Sequence, residues 1–178
     1  GQQLMSLRID ADRLIVRLDR CADALPSIVS CIAHEDARWR PDEDSWSLLE
    51  IVCHLADEEV DDFRTRTILT LHQPDADWPP IDPQGWATQR EYQSQSLPEQ
   101  IERFVHLRRE SVAILNDLDD PDWSRTHSHP SFGAMSAGQM LASWCAHDAL
   151  HLRQISRRMY QLVERDAPGV DLMYAGSW

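Results

Sequence analysis

No stretch of about 18 apolar residues occurs in the 178-residue chain, so no segment is long enough to be read as a transmembrane helix. Gly1-Gln-Gln-Leu-Met-Ser-Leu-Arg8 lacks the basic and apolar regions of a secretory signal, and a cytoplasmic protein is expected. A basic run is missing too. With 30 acids against 17 bases and a net charge of −13, neither a nucleic acid nor an anionic membrane is an expected partner, because both need a basic surface that displaces counterions. The four cysteines, Cys21, Cys31, Cys53 and Cys145, form no C-x-x-C pair; they read as reduced, small core residues and not as a disulfide framework. Cys53 precedes His54 directly, and adjacent helical side chains diverge by about 100°, so it is not expected to share a ligand site with it. Also absent are a G-x-S-x-G elbow, a phosphate-binding glycine loop, and a second Glu-x-x-His copy of the kind a di-iron bundle needs. No strand pattern, internal repeat or low-complexity segment is evident.

What is present is helical periodicity, and the length fits a single domain spanning 1–178. Four helices are predicted, at about 10–25, 46–71, 97–118 and 137–163. The first carries Leu14, Leu18, Cys21 and Leu25 at helical spacing; Pro26 is expected to end it, with a separate turn over Ser27 to Ala33. Asp44 or Ser45 is the expected cap of the second, whose apolar positions run from Leu48 to Phe63. Gln73 to Ala87 holds four prolines and two tryptophans and reads as a crossover pinned to the surface. Ser96-Leu-Pro-Glu99 and Ser136-Ala-Gly-Gln139 read as capping boxes that open the third and fourth helices. The fold class is therefore all-α, a four-helix bundle with a long crossover between helices two and three.

The chemistry concentrates in Trp144-Cys-Ala-His147-Asp148-Ala-Leu-His151, where two imidazoles stand four apart and share a helix face. They fall at the edge of the apolar stripe formed by Leu141, Trp144, Leu152 and Ile155, where a site backed by the core and open to substrate would lie. An isolated H-x-x-x-H is more often a pair of solvated histidines than a metal site. Asp148 falls inside the apolar stripe, and a carboxylate there is costly unless it is paired. Its partner is either a ligand histidine or a cation such as Arg153 or one from another helix. His54, in helix two, lies beside Glu50, Asp57, Glu58 and Asp61 and by itself reads as a surface residue. If that acidic stripe lines a cleft, Glu50 and Asp57, one turn to either side, are candidate catalytic or supporting acids. His34, His72 and His106 read as surface residues, and His127 with His129 as a turn pair beside Pro130 rather than a chelating set.

The order of these elements resembles the DinB/YfiT-like superfamily: a tryptophan opening helix two, a His54-Leu-Ala-Asp57 segment, a proline-rich crossover, a His129-Pro-x-x-Gly133 loop and the H-D-x-x-H segment of the last helix. The similarity runs from about Leu14 to Met159. It implies a four-helix bundle, commonly dimeric, with a divalent metal such as Zn, Ni or Fe held by His54, His147 and His151. Some relatives are S-transferases or isomerases that use a low-molecular-weight thiol, and many carry only a hydrolase label. The expectation is a mononuclear metalloenzyme acting on a small electrophile by thiol transfer or hydrolysis, with Asp57, Glu50 or Asp148 orienting or deprotonating the nucleophile. The competing expectation is a non-catalytic, stress-related dimeric protein whose metal ties helices two and four together.

Overall fold

The computed structural model describes residues 8–178, and helices dominate them. Helix α1 (Ala11–Val29) starts at Asp10, whose side chain accepts the Arg13 amide. It does not break at Pro26. Proline forfeits one amide donor, yet its carbonyl still accepts from Ser30 N at 3.0 Å, and Leu25 and Val29 on either side are buried, so core packing of the last turn outweighs the missing bond.

Helix α2 (Leu48–Glu58) begins later than expected, because Ser47 rather than Asp44 or Ser45 is its cap. Ser47 and Glu50 form a reciprocal capping box, and Trp46 stays outside the helix to pack its ring on His54. The helix continues through a π-helical segment (Glu59–Arg64) into α3 (Thr65–His72). In the wide turn, Thr65 Oγ1 donates to the Val60 carbonyl at 2.6 Å.

The crossover contains its own short helix, α4 (Pro83–Gln89), which Asp82 caps through the Gly85 amide. Gly85 is required there, since a Cβ would lie 1.8 Å from the Asp82 carboxylate. Helix α5 (Leu97–Asn116) starts with Pro98 in its first turn, but the Ser96 side chain makes no capping bond. A two-stranded antiparallel hairpin, β1 (Thr126–His129) and β2 (Gly133–Ser136), interrupts the helices where no strand was expected. Four-residue strands are too short for a period to show. Gly133 supplies the positive φ of 70° after the turn, and Ser136 caps α6 (Ala137–Asp166) through the Gln139 amide. Among the described residues no helix is long and apolar enough to cross a membrane.

α1, the α2–α3 rod, α5 and α6 make the four-helix bundle, with α4 and its loops laid over α2. The core falls into two clusters. One gathers Leu25, Leu49, Val52, Phe104 and Ile155; the other gathers Ile15, Leu18, Phe63, Val112, Leu141 and Trp144. On three of the four rods polar side chains stand between the two clusters: Asp57 to Glu59 on the α2–α3 rod, Arg108 on α5, and His147, Asp148 and His151 on α6. A polar layer thus crosses the middle of the bundle.

The cysteines differ sharply in access: Cys31 is exposed, Cys21 and Cys145 are half-buried, and Cys53 is buried. Burial pushes the Cys21 and Cys53 thiols up to about 12 and the Cys145 thiol up to about 11. Since the thiolate is the reactive form, a thiol reagent at about pH 8 should modify Cys31 quickly and the other three only on unfolding. Mass spectrometry of the parent and of Cys31→Ser checks this; a second fast site in the parent would contradict it.

Candidate metal centre

Three imidazoles meet in the polar layer. His54 comes from α2, and His147 and His151 from consecutive turns of α6. Their Nε2 atoms form a triangle with sides of 3.3 Å (His54–His147), 3.0 Å (His54–His151) and 2.9 Å (His147–His151). His54 is only 4 % exposed, contrary to its reading as a surface residue. The reason is that every residue of α2 is buried: the crossover lies on its acidic side, with the Tyr92 hydroxyl on Asp57 and Gln93 on Ser47.

Burial holds the imidazoles neutral. It lowers His54 to about 3 and His147 to about 2, helped by the mutual repulsion of the rings, and lowers His151 as well. His151 Nδ1 lies 2.7 Å from Gln154 Oε1, an acceptor only, so that nitrogen carries the proton and Nε2 presents a lone pair to the triangle. With His151 Nε2 bare, at most two protons are left for three close nitrogen–nitrogen contacts, so N–H···N bonds do not satisfy them all, and a cation among the rings would relieve the repulsion that remains. Metal–nitrogen bonds of about 2.0–2.1 Å in tetrahedral geometry separate ligand nitrogens by roughly 3.3 Å, close to the sides observed. The donor set fits a divalent transition metal.

Glu58 is the group that sequence reading passed over. Its Oε2 lies 3.4 Å from His147 Nε2 and 3.8 Å from His54 Nε2, while its Oε1 is buried without a partner. Burial, reinforced by Asp62 one turn on, raises its carboxyl to about 8. Its signal was the i,i+4 spacing from His54, hidden among other acids. Trp46 against His54 and Phe63 against His147 wall the site with aromatic rings. Two cavities reach it, one of about 410 Å³ past Trp46 and Gln84 and one of about 480 Å³ past Leu150 and Trp178.

The three acids singled out from sequence are engaged elsewhere. Glu50 accepts the Ser47 amide at 2.7 Å and pairs with the Arg40 guanidinium, which fixes the start of α2. Asp57 accepts from the Tyr92 hydroxyl, from Arg103 at 2.7 Å and from Arg90 at 2.8 Å. Asp148 is held by Arg108 of α5, at 2.7 and 2.8 Å, so its partner is the cation from another helix and neither a histidine nor Arg153. The remaining histidines stand apart: His34, His72 and His106 are exposed. His127 stacks on Trp78 and bonds the Pro74 carbonyl, while His129 Nδ1 accepts the Ser131 and Phe132 amides.

Fold and site together define a helical bundle with a three-imidazole group between its helices. The chain belongs to the DinB superfamily, whose sequence profile matches residues 17–155. Among solved structures it is similar to YfiT from Bacillus subtilis, described as a probable metal-dependent hydrolase with an unusual four-helix bundle topology. That likeness has a TM-score of 0.71 and 21% identity, and covers 89% of this chain and 93% of the other. No curated protein matches the chain.

Proposed function

We propose that the chain is a mononuclear metalloenzyme acting on a small electrophile, with His54, His147 and His151 as its metal ligands and water or a low-molecular-weight thiol as the nucleophile. The observation that carries this reading is the triangle of Nε2 atoms, none further than 3.3 Å from another, with the Glu58 carboxyl on its edge. A divalent metal, when bound, lowers the pKa of a coordinated water or thiol toward neutrality and polarises the electrophile. The rest is done by side chains. Gln154 fixes the His151 ring by accepting its Nδ1 proton, which keeps Nε2 directed inward. Glu58 takes the nucleophile's proton and returns it to the leaving group, and Trp46 and Phe63 exclude bulk water from the rings. Two cavities suit a nucleophile and an electrophile arriving separately, which favours thiol transfer over simple hydrolysis.

Elemental analysis of protein purified without a histidine tag tests the ligand set. About one equivalent is expected in the parent and little in His54→Ala and His147→Ala. Glu58→Gln should keep the metal and lose about 10²-fold or more in turnover of a thiol-reactive electrophile. A parent without metal after reconstitution would remove the enzyme reading; metal without turnover of any ester or thiol-reactive substrate would leave a metal that only ties α2 to α6.

A further inference from the structure

Arg158 is 7 % exposed, yet among the described residues its guanidinium forms no ion pair. Nε donates to the Trp46 carbonyl at 2.6 Å and Nη1 to Gln161 Oε1 at 2.7 Å, both neutral acceptors, and Nη2 meets no acceptor among the described residues. A guanidinium buried to this depth normally requires counter-charge. Arg108, deeper still at 1 % exposed, receives it from two carboxylates. Asp42 and Glu50 lend it charge only from beyond ion-pair reach: Glu50 is already shared by Arg40 and the Ser47 amide, and Asp42 is exposed, as is Asp44 on the wall of the neighbouring cavity.

What Arg158 does face is the cavity of about 410 Å³ that His54, His151, Gln154, Trp46 and Gln84 also line. His151, Gln154 and Arg158 stand at i, i+3 and i+7 on one face of α6, so the cavity runs from the imidazoles to the guanidinium over about 10 Å of helix. We infer that Arg158 is the anion-recognising residue of this cavity, and that the small molecule processed at the imidazoles carries a carboxylate several bonds from its reacting atom. This inference rests on the metalloenzyme reading above. The planar guanidinium fork matches a carboxylate, and the missing counter-ion is then supplied by the substrate itself. Binding also orders the molecule, since its charged end is fixed at Arg158 while its reacting end lies beside Glu58 and the histidines.

The test uses a matched pair of probes. 6-Mercaptohexanoate and its neutral amide are titrated into cobalt-loaded protein, reading thiolate-to-cobalt absorption, and hexanoate and hexanamide are titrated by NMR into metal-free protein. The acid should bind about tenfold more tightly than the amide in the parent. In Arg158→Gln the preference should fall to within about twofold, with cobalt content and melting temperature kept, and Arg158→Lys should retain part of it. An equal preference in Arg158→Gln, or none in the parent, would overturn the assignment. Absence of a thiolate band with normal cobalt content would count against the nucleophile reading alone, because the metal-free titration still decides Arg158. Should Arg158→Gln not fold, the neutral Arg158→Met takes its place, and an acid preference unchanged there would assign Arg158 a purely structural role.

Discussion

Arg108→Ala is expected to destabilise the chain by roughly 3–5 kcal/mol, the range for removing one partner of a buried ion pair. The arginine is almost wholly buried and all five of its N–H donors are used. Nε and Nη2 grip the Glu59 carboxylate at 2.8 and 2.9 Å, Nη1 and Nη2 grip Asp148 at 2.7 and 2.8 Å, and Nη1 also reaches the Leu18 carbonyl at 3.1 Å. Four elements therefore depend on one side chain: α1, the π-helical segment, α5 and α6. Truncation leaves two carboxylates buried without a cation, and among the described residues only Trp144 Nε1, 3.0 Å from Glu59, still serves them. A total stability of about 5–15 kcal/mol makes this a loss of much of the fold. Urea denaturation measures it. Neutralising the stranded acids in Arg108→Met, Glu59→Gln, Asp148→Asn should recover most of the loss, because the desolvation cost falls with the charges. A single-variant loss below about 1 kcal/mol would mean that the network is solvated.

This network also explains how far the sequence could be read. Apolar periodicity and caps made the helices visible, and α5 and α6 lie within a few residues of expectation, since Pro98 and Ser136 mark their starts plainly. The π-helical segment at Glu59–Arg64 had no such mark, because its six residues hold only two apolar positions, Val60 and Phe63, too few to show a change of period. His147 and His151 were legible because one helix carries both. His54 was not legible from its own helix, since its burial is decided by the crossover some 30 to 40 residues away, and periodicity carries no information on what covers a polar face. The resemblance in motif order placed it. For the acids the difficulty was the reverse: Asp148 was rightly flagged as needing a partner, but the partner stands on α5, 40 positions away. Glu50 and Asp57 had the right spacing from His54 and the wrong neighbours. Glu58, on the same turn as Asp57, points to the imidazoles because no arginine claims it.

Stripping the metal should lower the melting temperature of the parent by roughly 10 °C, and should leave His54→Ala and His147→Ala unmoved. A ligand held at about 1,000 times its dissociation constant stabilises the native state by about 4 kcal/mol. In a chain of this size each kcal/mol moves the midpoint by roughly 2–4 °C. The physical reason for a large effect is the position of the ligands. One nitrogen comes from α2 and two from α6, so a shared ion is a cross-link between helices that otherwise meet through a triangle of nitrogens whose protons only partly relieve their repulsion. Without the ion that repulsion falls on His54, whose Nδ1 is buried with no partner to compensate it. Differential scanning fluorimetry with a chelator, followed by return of zinc, nickel or iron, gives the reading for each protein. Recovery of the parent by one ion at near-stoichiometric concentration, with neither variant responding, would tie the stability to these three nitrogens. A parent that ignores both chelator and metal would instead show three imidazoles sharing their protons in a polar layer, and the site would have no ion to bind.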